Sequence, residues 1–228
     1  MTQVNQSTKV KREVKRRPQP PLQCKLKDAK DLPSTWELMQ PQERVRRVTL
    51  SPSSTEYQSV VALLGGKIKT PLVVKIERVQ NPFLWRPLQN KGNEMATVLG
   101  QDVSKVDVRQ LFHGTKPDIV AKICAENFDW RLHGSSTGQL YGRGTYFSTD
   151  AAYSYKYCVA DGNGKKSMFV ARVAVGTMTV GDDSMVRPPN NSATGMLFDS
   201  TVNQMPNPTI IVKYDKQEYY PEYIITLT

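Results

Sequence analysis

The strongly β-branched segments of this chain are not separated by regularly placed helices, and this arrangement restricts the fold. Three of them lie in the C-terminal third, at 167–176, 209–215 and 222–228. Successive parallel strands need a crossover of a dozen or more residues, usually a helix. The pattern therefore argues against a doubly wound parallel sheet and predicts a mixed α+β fold with antiparallel sheets.

The preceding residues mix strand and helix patterns. Strands are predicted at 45–50, 71–79 and 109–114, and helices at 55–64, 82–99, 116–128 and 149–158. Pro87 lies inside the second helix and should kink or split it. Ser148 or Thr149 is expected to cap the fourth helix. The long polar segment 182–199 is predicted to be a loop.

Positive charge is concentrated near the N-terminus. The net charge is +10, and residues 1–31 hold nine Lys/Arg and three Asp/Glu, so this segment carries +6 and the rest +4. Such a segment cannot bury enough apolar surface to fold alone. We predict a basic, disordered tail at 1–31 and a folded domain at 32–228. The tail is a candidate import signal or anchor on nucleic acid, or a solvated leader.

Several classes of protein do not fit the composition. No apolar segment approaches the roughly 20 residues that span a bilayer, and the N-terminus has no apolar signal region, so we expect no membrane association and no secretion. The three cysteines match no metal-ligand spacing, and we expect no metal. We interpret them as reduced thiols of a nuclear or cytoplasmic protein.

Three separated motifs carry a more specific signal. They are LFHGT at 111–115, YGRGTYF at 141–147 with the helix after it, and PTIIV at 208–212. In this order and spacing they resemble the catalytic domain of the poly(ADP-ribose) polymerase family. The likeness is greatest to the mono-ADP-ribosylating branch that includes the CCCH zinc-finger and WWE-containing members. The resemblance covers roughly residues 33–228. Any one motif would be a weak signal, and the resemblance depends on all three in this order and spacing.

This resemblance implies a split α+β fold that holds NAD, as co-substrate, in a cleft between two antiparallel sheets. The family's histidine, tyrosine and variable third residue correspond to His113, Tyr146 and Ile210. The chain contains no GxGxxG motif, so any NAD is not held as in a Rossmann fold. We take these three residues as the candidate catalytic set.

The resemblance also assigns residues to the two ends of NAD. His113 would hydrogen-bond a ribose hydroxyl of the adenosine half, and the backbone of Gly114 would clamp the nicotinamide carboxamide. Thr115 and Gly144 are further candidate NAD contacts. A lone histidine is more often a structural residue, but the accompanying motifs favour the functional role.

Aromatic residues after the glycine turn are suited to a cationic ring. Tyr146 and Tyr157 are expected to face each other across a slot for nicotinamide, giving stacking and cation–π attraction. Ser154 lies three residues before Tyr157, on the same helical face, where its hydroxyl can reach the carboxamide. Tyr153 and Tyr155 are assigned to packing or surface roles.

Ile210 departs from the polymerising relatives, which carry glutamate at this place. An aliphatic side chain can neither bind the nicotinamide ribose nor activate an incoming hydroxyl, so one unit should be transferred and no polymer built. Glu218 and Glu222 fall beyond the motif strand, and a catalytic role for Glu222 would contradict this prediction.

The expected function is therefore NAD-dependent mono-ADP-ribosylation of acceptor proteins, including the chain itself, with release of nicotinamide. We expect a monomer. One alternative is a catalytically inactive binding module of the same fold. The other is a nucleic-acid-directed protein that uses its basic tail.

Overall fold

The computed structural model describes residues 2–4, 11–13, 32–68, 72–131 and 139–228. The strands are β1 (Thr2–Val4), β2 (Lys11–Glu13), β3 (Arg46–Thr49), β4 (Val73–Gln80), β5 (Val108–Thr115), β6 (Thr145–Ser148), β7 (Lys166–Ala174), β8 (Met178–Val180), β9 (Ser200–Val202), β10 (Ile210–Lys213) and β11 (Tyr219–Leu227). The α-helices are α1 (Thr55–Leu63), α2 (Pro82–Thr97), α3 (Val120–Glu126) and α4 (Ala151–Tyr155), and short 3-10 turns lie at Val103–Lys105, Pro117–Ile119 and Lys216–Glu218.

The chain divides into two units, Met1–Pro33 and Ser34–Thr228. In the first unit, β1 and β2 pair antiparallel. Most of the basic segment lies outside the described residues, so the tail at 1–31, its disorder and its role stay predictions. None of the described helices is long and apolar enough to cross a membrane.

The second unit is built around one sheet of nine strands in the order β3-β4-β11-β7-β5-β6-β10-β9-β8. Every neighbouring pair is antiparallel except β8 and β9. This confirms the α+β prediction. Instead of two separate sheets, the structure has two halves that join where β5 meets β6, through the single residue pair Phe112–Ser148.

The middle of the sheet is buried on both faces. On β7, the residues from Met168 to Ala171 are fully buried, and Ile224 and Ile225 on β11 are too. One apolar cluster contains Leu111, Phe128 and Phe147, and the other contains Phe112, Ala151 and Cys158. Neighbouring residues of β5 therefore belong to different clusters, as expected for a strand covered on both sides. Continuous apolar sequence in β7 reflects this double burial.

Helix boundaries follow capping chemistry, with two differences from the sequence predictions. Helix α2 runs without a break through Pro87, so the split is wrong and the kink stays a prediction; a proline removes only one intrahelical hydrogen bond, and the helix begins at an Asn81 cap. Helix α4 is capped by Asp150, not by Ser148 or Thr149, because the Asp150 carboxylate accepts from the Ala152 amide at 2.9 Å. The Ser148 hydroxyl instead accepts from the Asp150 amide.

Candidate functional site

The three motifs lie on neighbouring strands at the junction of the two half-sheets. His113 is on β5, Tyr146 on β6 and Ile210 on β10. On β6, Ser148 pairs with both Phe112 and Ile210, and Tyr146 pairs with Val212. Segments about a hundred residues apart in sequence therefore lie on three adjacent strands, as the motif resemblance requires.

His113 is fixed by the neighbouring strand and by aromatic rings. Its Nδ1 lies 2.8 Å from the main-chain oxygen of Tyr146. Because a carbonyl only accepts, Nδ1 carries the hydrogen, which makes Nε2 the acceptor nitrogen of the neutral ring. The ring centroid lies 4.8 Å from that of Phe128 and 5.7 Å from that of Phe147. His113 is 9% exposed, so it is well buried without being sealed.

Gly114 is in close contact with helix α4. A Cβ at this position would overlap the carbonyl oxygen of Ser154 and would lie 3.1 Å from the Cys158 sulfur. The backbones of β5 and α4 therefore approach more closely than any side chain on Gly114 would permit. The neighbour found here is the segment that bears Ser154, and the predicted clamp of Gly114 on the nicotinamide carboxamide stays a prediction.

Thr115 has a buried hydroxyl without a partner. The residue is 3% exposed, and its Oγ1 is the one buried side-chain polar atom in the described part of the chain that makes no hydrogen bond. An unsatisfied buried hydroxyl costs about 1–3 kcal/mol, and such groups are rare unless they bind a ligand or a water molecule. This observation fits the prediction of an NAD contact at Thr115.

Tyr146 is half-buried and its phenol is held by the glycine turn. The hydroxyl donates to the carbonyl of Gly142 at 2.8 Å and accepts from the amide of Tyr141 at 3.0 Å. Burial raises the pKa of the Tyr146 phenol to about 12, so it stays protonated at neutral pH. The Tyr146 hydroxyl is used in hydrogen bonds to the glycine turn, so the ring is the part of the side chain that is suited to ligand contact.

Tyr157 follows α4 and is 51% exposed. Its nearest aromatic partner is Tyr153, with ring centroids 5.4 Å apart and hydroxyls 3.0 Å apart. The sequence predicts a packing or surface role for Tyr153, and its ring packs against that of Tyr157. The slot between Tyr157 and Tyr146 stays a prediction. Burial is the main cause that raises the pKa of the Tyr153 phenol, and its hydrogen bond with Tyr157 raises the pKa further. Ser154 is buried on the same short helix, at 4% exposure.

The remaining tyrosine of α4, Tyr155, has a packing role as predicted. Its hydroxyl donates to the carbonyl of Thr228, and the Lys166 ammonium lies 4.1 Å from the centre of its ring. These contacts connect α4 with the C-terminal residue and with β7.

The glycine turn depends on contacts that the sequence did not reveal. A Cβ at Gly144 would overlap the carbonyl oxygen of Lys213, and a Cβ at Gly142 would overlap the phenol oxygen of Tyr214. Gly142 also has φ +124°, a conformation that favours glycine. The turn is thus pressed against the end of β10, and this is why Gly144 is needed.

Ile210 is 8% exposed, and its amide donates to the side-chain oxygen of Asn203 at 3.0 Å. The two nearby glutamates are engaged elsewhere. Glu218 accepts from the amides of Tyr214 and Asp215. Glu222, on β11, pairs with Arg172 at 2.7 Å. The structure therefore gives Glu222 a structural partner and leaves an aliphatic residue on the motif strand.

Other chemistry-bearing groups in the described residues do not form a second centre. Cys124 and Cys158 are buried free thiols, and burial raises the pKa of each to about 11, which suppresses the reactive thiolate. Within the described ranges, no three His, Cys, Asp or Glu residues form a group suited to a metal ion.

Comparison with known proteins is consistent with this geometry. A family model described as the poly(ADP-ribose) polymerase catalytic domain matches residues 54–196. The mouse protein mono-ADP-ribosyltransferase PARP12 is 43% identical over 206 residues, which cover 88% of this chain and 28% of that protein. Mouse PARP11 is 35% identical over 218 residues, covering 87% of this chain and 65% of that protein.

Human PARP14, also named a protein mono-ADP-ribosyltransferase, is 34% identical over 200 residues, covering 86% of this chain and 11% of that protein. The chain spans about 28% of the length of the mouse and human PARP12 proteins that it matches.

Proposed function

Because this chain belongs to the poly(ADP-ribose) polymerase catalytic-domain family, we propose that it transfers one ADP-ribose unit from NAD to an acceptor protein. The observation that carries the proposal is the convergence of His113, Tyr146 and Ile210 on three neighbouring strands, with an aliphatic third residue. Mouse PARP12 and PARP11, which are named mono-ADP-ribosyltransferases, support the single-unit form.

The residues present fit a dinucleotide. The buried, unpartnered hydroxyl of Thr115 lies two positions after His113 on β5, where a ligand hydroxyl or carbonyl would satisfy it. The exposed ring of Tyr157 offers a face to a cationic nicotinamide. His113 is held on β5 by the contact of its Nδ1 with a main-chain oxygen, and this fixed ring supports the ribose contact that the resemblance implies.

In NAD, a glycosidic bond joins the ribose to a positively charged nicotinamide. When this bond breaks, its electron pair goes to the nicotinamide, which leaves as a neutral molecule, and the acceptor forms a new bond to the sugar carbon. The protein's part is to orient the two ends, shield them from water and stabilise the developing charge. Tyr146, whose phenol stays protonated, does not act as a base. The acceptor's own carboxylate can be the nucleophile, since it needs no proton removed.

The single-unit outcome follows from Ile210. A polymer requires an ADP-ribose hydroxyl to act as the next nucleophile, and a hydroxyl at neutral pH needs a base. The aliphatic side chain of Ile210 provides none, and Glu222 is occupied by Arg172. We propose acceptor proteins, including the chain itself, as partners.

Mass spectrometry of the protein after incubation with NAD tests the proposal. We expect adducts of one ADP-ribose unit per modified side chain. A ladder of longer adducts would contradict the single-unit proposal. A folded protein with no adduct, on itself or on added proteins, would favour the inactive binding module.

Tyr157 provides a sharper test, because its exposure means that the fold does not depend on it. Tyr157→Ala should raise the KM for NAD by about two- to thirtyfold, corresponding to the loss of one cation–π contact. Tyr157→Phe keeps the ring and removes only the hydroxyl, and its KM should stay near the wild-type value. Equal KM values for the Ala variant and the wild type would exclude Tyr157 from the site.

A further inference from the structure

We propose that the hydroxyls of Tyr214 and Thr201 act as positioning groups for the NAD site. They form a hydrogen-bonded relay that fixes the glycine turn, at Tyr141 and Gly142, to which the Tyr146 phenol on β6 is bonded. The inference rests on the proposed function in one respect, namely that Tyr146 forms a wall of that site. Neither residue belongs to the three motifs that carry the family resemblance in the sequence.

The relay begins at the end of β10 and has a defined direction. The Tyr214 and Thr201 hydroxyls lie 2.7 Å apart, and the Thr201 hydroxyl donates to the main-chain oxygen of Tyr141 at 2.6 Å. A carbonyl oxygen only accepts, and threonine has a single hydroxyl hydrogen. Thr201 therefore gives its hydrogen to Tyr141, and Tyr214 must donate to Thr201.

The relay continues into the predicted NAD site. The amide of Tyr141 donates to the Tyr146 hydroxyl at 3.0 Å, and that hydroxyl donates to the carbonyl of Gly142 at 2.8 Å. The main-chain oxygen of Tyr146 in turn accepts from His113. Both main-chain polar groups of Tyr141 are thus held, the carbonyl by Thr201 and the amide by the phenol of Tyr146.

Steric contacts place the same groups independently of the hydrogen bonds. The phenol oxygen of Tyr214 occupies the space where Gly142 would carry a Cβ. A Cβ at Gly181 would overlap the main-chain oxygen of Tyr141. The turn is therefore confined between Tyr214 and the segment after β8, so loss of a relay hydroxyl removes a constraint in a closely packed place.

Both anchors of the relay are themselves rigid. Thr201 is fully buried on β9 and pairs with Val212 on β10. The amide of Tyr214 donates to the carboxylate of Glu218 at 3.2 Å. Because these two hydroxyls are held in place by the sheet and by Glu218, they can fix the position of the glycine turn. A mobile hydroxyl would instead move with the turn.

The test combines amide hydrogen exchange without NAD and kinetics with NAD. Tyr214→Phe and Thr201→Val should increase exchange in 139–148 while exchange in β7 (Lys166–Ala174) stays at the wild-type level. The KM for NAD should rise about two- to tenfold, the effect of one hydrogen bond, with a smaller change in kcat. Thr201→Ser keeps the hydroxyl and should restore both values.

Tyr155→Phe is the matched control, because it removes a phenol hydroxyl that donates to Thr228 outside the relay. It should leave the exchange of 139–148 unchanged. Unchanged exchange in the Tyr214 and Thr201 variants, or an equal increase in β7, would overturn the relay. The two ideas can fail separately. If the Tyr214 and Thr201 variants show the local increase in exchange but the wild-type protein modifies neither itself nor an added protein, the relay stands and the transferase function is rejected.

Discussion

Gly114 gives a direct measure of how closely helix α4 is packed on the strand that carries His113. We expect Gly114→Ala to destabilise the protein because the added Cβ would overlap the carbonyl oxygen of Ser154 and lie 3.1 Å from the Cys158 sulfur. Its φ is outside the left-handed region, so the cost is steric alone. Since the obstructing oxygen belongs to the backbone of α4, the helix itself must shift.

Overpacking of this kind costs about 1–3 kcal/mol in the free energy of unfolding. For a chain of this size, that corresponds to a fall in Tm of about 2–12 °C. The KM for NAD should also rise, because the displaced helix carries Ser154 and leads to Tyr157.

Gly92→Ala is the matched control. It lies inside α2, and apart from its chain neighbours and the helix's own backbone nothing lies within 4 Å of the added Cβ. Replacing a helical glycine by alanine should raise the free energy of unfolding by about 0.5–1 kcal/mol. Urea unfolding of both variants would therefore show changes of opposite sign. A Gly114→Ala protein as stable as the wild type would refute the close approach of α4.

Two further predictions concern charge. Ile210→Glu places a carboxylate where the native residue is 8% exposed, so burial should raise the pKa of the new group. Its destabilisation relative to Ile210→Met should be larger at about pH 8 than at about pH 4, and equal losses in urea unfolding would contradict this. Asp129 has a pKa lowered mainly by its hydrogen bond with Arg131. Its stabilisation should be present above the unfolded pKa of about 4 and lost as pH falls through the lower folded pKa. Because the pair is partly screened, Asp129→Asn should cost about 1 kcal/mol at neutral pH, and this difference should vanish in acid; a pH-independent difference would count against the ion pair.

Local sequence patterns determined much of the secondary structure. Ser54 caps α1, Pro82 lies in the first turn of α2, and the β-branched segment around Ile211 forms β10. Each depends on interactions among residues close in sequence, or on burial of a continuous apolar run. The three motifs, taken in order, also predicted the family that the comparison confirmed.

Patterns were less informative where a short element depends on a distant partner. The strands β8 and β9 have three residues each and pair in parallel, and no local residue pattern predicts them. The cap of α4 was assigned to Ser148 or Thr149, whereas Asp150 takes that place and the Ser148 hydroxyl binds its amide. Three adjacent polar residues compete for one cap, and the pairing of β6 decides among them.

The sequence alone determined which residue types were present for the predicted chemistry, including the aliphatic side chain at Ile210. Only the tertiary structure decided that the two half-sheets meet through Phe112 and Ser148, and that Tyr153 is the ring partner of Tyr157. The tertiary structure also places the Tyr214 phenol against Gly142 of the glycine turn. These contacts are between side chains and backbone from different strands and turns, and their geometry is set by strand order and packing, which no local pattern of residues specifies.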